Sequence, residues 1–403
     1  MNRISIALVV SLLSMALTSR AQKFEGLAPT PPMGWNSWNY FKCDFDEKLL
    51  REVADAMSSN GMKEAGYEYI VIDDCWQVGR DAEGNILPDP QKFPSGMKAL
   101  ADYIHSKGLK FGLYSDAGTK TCKGLPGSRG YEYQDARTYA AWGVDFLKYD
   151  WCHHSTQDAR ASYTLMRDAL YAAGRPVVFS ICEWGENEPW LWGPGVGHMW
   201  RTGHDIKDCF DCDLNTSSQG IMKILDQQVA LRKYAGPGRW NDPDMLEVGN
   251  PGLSLSQSRA HFSLWCMLTA PLIAGNDIIH MTDEVKDILT HSEVIAVDQD
   301  PLGIQAIKWL DFGDLEIWFK PLINEEYAVC FLNRSEDPKT LDFDFNQWEK
   351  VFDPENDWKK YTFEGKYQMV DLWENKVLGT SDKPLKGIIP GHDVLMIKMS
   401  KVQ

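Results

Sequence analysis

Val144-Asp-Phe-Leu-Lys-Tyr-Asp-Trp-Cys152 reads as a buried strand, with Gly143 before it and a polar run after it. Side chains alternate along a strand, so Val144, Phe146, Lys148 and Asp150 share one face. Two apolar residues are followed on that face by a lysine and a carboxylate. Buried charges are costly unless paired, so Lys148 and Asp150 are expected to hold each other ionised. A carboxylate kept charged at the carboxyl end of a buried strand suits a nucleophile; a structural ion pair is the plainer reading.

Similar strand ends recur on both sides. Tyr67-Glu-Tyr-Ile-Val-Ile-Asp-Asp-Cys-Trp76 ends in two aspartates, and Lys110-Phe-Gly-Leu-Tyr-Ser-Asp116 in one. Val177 to Trp184, His198 to Asp205, Arg239 to Met245 and Pro271 to Asp277 follow the same form. Helical periodicity separates them near 46–60, 96–107, 131–142, 156–173, 216–234, 256–269 and 282–291. With Met33-Gly-Trp-Asn-Ser-Trp38 at the front, this makes eight strand-then-helix units. That is the order and size of a (β/α)8 TIM barrel, an α/β fold, expected over residues 22–302. From Gly303 the chain turns to short strands such as Leu315-Glu-Ile-Trp-Phe-Lys320. A C-terminal antiparallel β-sandwich is expected over 303–403.

In a TIM barrel the carboxyl ends of the strands build the active site. Here they carry Trp38, Asp73, Asp74, Tyr114, Asp116, Lys148, Asp150, Glu183, Arg201, Asp205, Asp244 and Asn276. Any one could cap a helix; eight such ends together point to a site. The formal charge of −16 argues against nucleic acid and anionic membranes as partners. Sixteen tryptophans supply flat walls suited to the C–H faces of sugar rings. Residues 1–21 read as a signal peptide, with Arg3, an apolar run from Ile4 to Leu17, and Ser19-Arg-Ala21 before Gln22. The apolar run is short for a spanning helix, so export to the periplasm or medium is expected and stable membrane insertion is not. Export permits disulfides among the nine cysteines.

Several carboxylates, tryptophans and one lysine on a barrel rim suggest glycoside hydrolysis, which needs one ionised and one protonated carboxyl. Asp150 suits the ionised role. For the proton donor the pattern offers Asp73, Asp74, Asp116, Glu183, Asp205 and Asp244 without choosing among them. A barrel enzyme on phosphorylated metabolites lacks a Gly-rich phosphate motif and fits export poorly.

The motifs Met33–Trp38, Ile72-Asp-Asp-Cys-Trp76, Gly112-Leu-Tyr-Ser-Asp-Ala-Gly118, Leu147-Lys-Tyr-Asp-Trp-Cys152, Cys182-Glu-Trp184, Trp200-Arg-Thr-Gly-His-Asp-Ile206 and Trp240-Asn-Asp-Pro-Asp-Met245 run in one order across residues 29–300. Their set resembles glycoside hydrolase family 27, the α-galactosidases and α-N-acetylgalactosaminidases. The resemblance implies exo-acting hydrolysis of terminal α-galactosides with retention, Asp150 as nucleophile and Asp205 as general acid/base. It implies that Asp73 and Asp74, with Lys148 nearby, bind the galactose 4- and 6-hydroxyls. Trp38 and Tyr114 would line the pocket, and Arg201 and Asp244 would lie toward the 2-hydroxyl. Glu183 matches the galactosidase version and would exclude an acetamido group. Disulfides Cys43–Cys75 and Cys122–Cys152 are implied, and no metal or other cofactor. A β-L-arabinopyranosidase and a non-catalytic sugar-binding protein are the alternatives on this scaffold.

Cys209-x-x-Cys212 is expected to be a local disulfide or free thiols rather than a metal half-site. Cys182, Cys266 and Cys330 have no assigned partner. His153-His154 point apart on extended chain, against metal binding. Asn215 and Asn333 begin glycosylation sequons.

Overall fold

The structure, a computed structural model, describes residues 23–212 and 217–402. The expected signal segment and Asn215 lie outside them. Eight parallel strands form one curled sheet in chain order. They are β1 (Met33–Asn36), β2 (Tyr69–Ile72), β3 (Lys110–Asp116), β4 (Phe146–Asp150), β5 (Val178–Cys182), β6 (Met199–Arg201), β7 (Trp240–Asp242) and β8 (Leu272–Ala274). The ring closes beyond the end of β7, where Leu246 bridges Ala274. Leu246 N donates to Ile273 O at 2.8 Å, and Gly275 N donates to Leu246 O at 3.0 Å. The Asp-Pro-Asp-Met run removes a backbone donor at Pro243, so the strand breaks before it reaches its neighbour.

Alternation decides which side chains fill the barrel. Tyr69, Val71, Phe146, Val178, Met199 and Trp240 point inward and form their own apolar cluster. Gly112 makes room for it: a Cβ there would lie 2.7 Å from Val71 Cγ2. Outward residues Ile70, Ile72, Phe111, Leu113, Leu147, Phe179 and Ile181 pack under the helices. Those helices begin and end at readable signals. Glu47–Met57 is capped by Asp46, which accepts from Leu49 N. Glu132–Trp142 stops at Gly143, whose φ of 91° suits a residue without a Cβ. Leu255–Leu268 opens with a capping box formed by Ser254 and Gln257.

The helical layer is less regular than the sequence pattern predicts. Between β5 and β6 only one turn, Pro189–Trp192, and a 3₁₀ turn are formed. The helix expected over 216–234 is Ile221–Gln228 followed by a 3₁₀ run, Val229–Tyr234. The last expected helix is two, Asp283–Leu289 and Ser292–Asp298.

The C-terminal part is an antiparallel six-stranded sheet with two smaller strand pairs beside it. Its strands Leu315–Pro321, Tyr327–Asn333 and Asp393–Lys401 are buried on both faces. Ile317, Phe319, Val329, Phe331, Ile397 and Met399 fill the sandwich. Trp318, Ala328, Cys330, Leu332 and Met396 join the barrel core instead. Burial on both faces is why these strands read as continuous apolar runs. Buried ion pairs Arg259–Asp393 and Arg232–Asp353 tie the two parts together. No helix of the described residues is long and apolar enough to cross a membrane.

Candidate active site

Strand register sets the rim. Tyr114, Lys148 and Ser180 lie side by side on β3, β4 and β5, and Asp116, Asp150 and Cys182 lie one layer above. Lys148 makes its ion pair across the lumen. Its ammonium donates to Asp73 Oδ2 at 2.7 Å, so the expected Lys148–Asp150 pairing is replaced by Lys148–Asp73. Two residues on one strand face project in parallel, whereas Asp73, at the end of β2, faces Lys148 across the lumen. Asn36 Nδ2 adds a second bond to Asp73 at 2.9 Å, and Asp73 N donates to Ser37 Oγ at 3.0 Å. Asn36 was missed in the sequence; the only signal for it was its place just before Trp38. Asp74 accepts from Cys75 N at 2.7 Å and Lys123 N at 3.0 Å.

Asp150 is 6% exposed and accepts from Trp151 N at 2.9 Å. The Cys122 sulfur lies 3.5 Å from its Oδ2. Cys122–Cys152 and Cys43–Cys75 are both bridged, as is Cys209–Cys212. Cys182, Cys266 and Cys330 are buried free thiols. Burial raises the proton affinity of Asp150, with the charges of Asp205 and Asp73 adding to it and Lys148 opposing. Asp116, fully buried next to Asp150, is likewise pushed up by burial and by that neighbour's charge. It accepts from Gly118 N at 2.6 Å and Cys152 N at 2.9 Å. Gly118 permits the approach, since a Cβ there would meet Cys152 O at 1.9 Å.

On the opposite side Arg201 bridges two carboxylates, Asp244 at 2.8 Å and Asp205 at 3.1 Å. Asp244 is 4% exposed and adopts φ 90°. Such a conformation costs a non-glycine residue about 1–3 kcal/mol and is held by its surroundings. Ile206 N and Met245 N both donate to its carboxylate at 2.8 Å. Asp205 keeps 45% of its side chain open, and Arg201 outweighs its partial burial to leave its proton affinity below the ordinary value. It faces a cleft of about 520 Å³ lined by Cys122, Cys152, Trp184, Glu186, His204 and Ser217. Beneath lies a small inner space bounded by Asn36, Lys148, Cys182, Arg201, Asp242 and Asp244.

The remaining expected residues sit nearby with different degrees of access. Trp38 is partly buried at the end of β1, with the Lys42 and Lys123 ammonium groups each 5.2 Å from its ring centre. Tyr114 is buried, its hydroxyl 3.5 Å from the Cys122 sulfur. Glu183 is fully buried and folds onto its own loop, accepting from Asn187 N at 2.6 Å and Asn187 Nδ2 at 2.7 Å. Its Oε1 is buried and has no hydrogen-bond partner among the described residues. Burial raises its carboxyl to about 7.

One group of atoms from Asp116, Cys122, Asp150 and Cys152 lies within 4.8 Å. With both sulfurs in one disulfide they offer no thiolate to a metal.

Both parts of the chain match known proteins. Residues 30–300 match the model described as alpha galactosidase A, and 312–399 match the alpha galactosidase C-terminal beta sandwich domain. The chain is 53% identical over 397 residues to alpha-galactosidase A of Cellvibrio japonicus, covering 97% of each chain. It is 50% identical over 319 residues to an alpha-galactosidase of Cyamopsis tetragonoloba, covering 79% of this chain and 76% of that one. The crystal structure of alpha-galactosidase I from Mortierella vinacea superposes with a TM-score of 0.86 at 37% identity, covering 93% and 98% of the two chains. Two carboxylate-bearing poles around a barrel mouth, matched in sequence along both parts of the molecule, place this chain in glycoside hydrolase family 27, the α-galactosidase family.

Proposed function

We propose that this chain is an exo-acting, retaining α-galactosidase that removes terminal α-linked D-galactose through a covalent glycosyl-enzyme. The observation that carries the reading is the contrast between two carboxyls at one rim, Asp150 buried and Asp205 open to the cleft. Asp150 attacks the anomeric carbon while Asp205 protonates the leaving oxygen. The C–O bond to the aglycone breaks as the ester to Asp150 forms. Water, deprotonated by Asp205, then releases galactose.

The surroundings support this proton cycle. Without sugar, Arg201 and open solvent favour the Asp205 anion. A sugar over the mouth removes that water and raises its proton affinity, the direction an acid requires. Esterification of Asp150 then removes a neighbouring negative charge, which lowers the proton affinity of Asp205 and turns it into a base. Asp73, Asp74 and Lys148 supply hydrogen-bonding groups for hydroxyls on one side of the ring. Arg201 and Asp244 supply them on the other, and Glu183 is the residue that would exclude an acetamido group. The disulfides support export, which the N-terminal segment also suggests.

The test uses matched nitrophenyl glycosides with Asp150→Ala as the control. Turnover of the α-D-galactoside that vanishes in the variant, with α-galactose as the first product by NMR, is expected. The α-N-acetylgalactosaminide should be a poor substrate. Preference for the β-L-arabinopyranoside would keep the mechanism and replace the substrate. β-Galactose as the first product would overturn retention, and silence on all three would overturn the hydrolase reading for simple glycosides.

A further inference from the structure

A second cavity lies away from the catalytic mouth. A cleft of about 700 Å³ opens where the start of Leu255–Leu268, the junction of the two last barrel helices and the Trp373-Glu374 turn of the C-terminal part meet. Its lining includes Ser256, Arg259, Asp287, His291, Trp373 and Glu374, none of them shared with the rim. Its size lies within the roughly 300–1,000 Å³ of small-ligand sites.

Trp373 and Arg259 are held in place, while one guanidinium nitrogen and two exposed carboxylates stay uncommitted. Trp373 is anchored at both ends: its indole Nε1 donates to Ser263 Oγ at 2.9 Å, and its carbonyl lies 3.2 Å from His291 Nε2. The His291 ring stands 4.6 Å from that indole, and its Nδ1 is buried with no hydrogen-bond partner among the described residues. Arg259 uses Nε and Nη2 on Asp393, the link between the two parts, and leaves Nη1 uncommitted. Asp287 and Glu374 are exposed and make no ion pair among the described residues.

We infer that this interdomain cleft is a second carbohydrate site, which takes a neutral oligosaccharide with Trp373 as the stacking surface and Asp287, Glu374 and Arg259 as hydroxyl partners. An indole beside carboxylates and a guanidinium suits a ligand with apolar C–H faces and many hydroxyls. The balance excludes an anion, since the guanidinium is already paired and three carboxylates, Glu284, Asp287 and Glu374, line the cleft. The site also gives the C-terminal part a role in holding glycan, because Trp373 and Glu374 come from it. The choice of a galactose-ended ligand rests on the proposed function.

The test is calorimetric titration of Asp150→Ala with raffinose. Two equivalents are expected, one at the rim and one at the cleft. Asp287→Ala/Glu374→Ala in that background, exposed positions that leave the core intact, should bind one equivalent. Trp373→Phe should weaken the same equivalent about tenfold, the effect of losing roughly 1.4 kcal/mol. A single equivalent in the parent that Asp244→Ala removes would overturn the second site and leave the rim reading standing. A single equivalent that only Asp287→Ala/Glu374→Ala removes would keep the cleft and overturn the rim reading. Concentration-dependent dimerisation with the cleft blind to raffinose would assign this face to a second copy of the chain and overturn the inference.

Discussion

The two poles of the rim solve one problem in different ways. At the Asp73 pole a lysine meets a single carboxylate, and asparagine and backbone complete the shell. At the Asp244 pole one arginine spans two carboxylates, one buried and one open. A lysine is a point charge suited to neutralising one fixed anion; an arginine fork can hold one anion still while biasing another. The difference teaches that one cation can fix a single buried anion or be divided between a buried and an open one, and under the proposed mechanism the first arrangement suits binding and the second suits proton transfer.

The largest effect that would break this comparison is loss of the proton donor. Asp205→Ala should lower kcat/KM for an alkyl α-galactoside about 10²–10⁴-fold, and that for a dinitrophenyl α-galactoside far less, since forming the glycosyl-enzyme from the second leaving group needs no proton. Equal losses on both would remove Asp205 from the acid role.

Next come the two cations. Lys148→Met and Arg201→Gln each strand a buried carboxylate and should cost about 3–5 kcal/mol in urea unfolding. Their pH profiles should diverge. In the free enzyme Asp205 loses its proton at lower pH than Asp150, so Asp205 sets the acid limb of kcat/KM and Asp150 the alkaline limb. Lys148 lowers the proton affinity of Asp150, so its removal should carry the alkaline limb upward, whereas Arg201 lowers that of Asp205, so its removal should move the acid limb to higher pH. If both variants shift the same limb, the two poles are not separate devices.

The disulfide beside Asp150 sharpens the contrast from the covalent side. Cys122→Ala/Cys152→Ala should destabilise the protein by about 2–5 kcal/mol in the same unfolding assay. Activity at permissive temperature should fall as well, because a sulfur of the bridge touches Asp150.

The smallest effect belongs to neither pole. His198 lies at the barrel floor, where its Nδ1 accepts from Phe179 N and burial lowers its pKa to about 4. An ordinary histidine titrates near 6.5. Above that pH both folded and unfolded states are neutral there; as pH falls from 6.5 to 4 the unfolded state gains a proton that the folded state refuses. Stability from this residue is therefore lost through that window, by about 3 kcal/mol at its lower end. His198→Asn should flatten that part of the stability curve, and an unchanged curve would shift the acid sensitivity to the rim.

Much of the fold was legible because its determinants are local. Strand alternation, caps such as Asp46 and Ser254, and glycine stops such as Gly143 act within a few residues. The rim carboxylates were equally visible, since each ends an apolar run. The irregular helices were not, because Val229–Tyr234 keeps a helical pattern while its geometry is set by packing against the strands.

The sequence by itself determined a carboxylate-rich barrel rim followed by an all-β part, and, through the order of its motifs, the family. Only the tertiary structure decided that Lys148 answers to Asp73, that Arg201 is shared between Asp205 and Asp244, that Asn36 completes the first pole, and that the ring closes at Leu246. The physical reason is that period and propensity act through near neighbours in the chain, whereas charge pairing depends on distances across a lumen that exists only after the strands have closed around it.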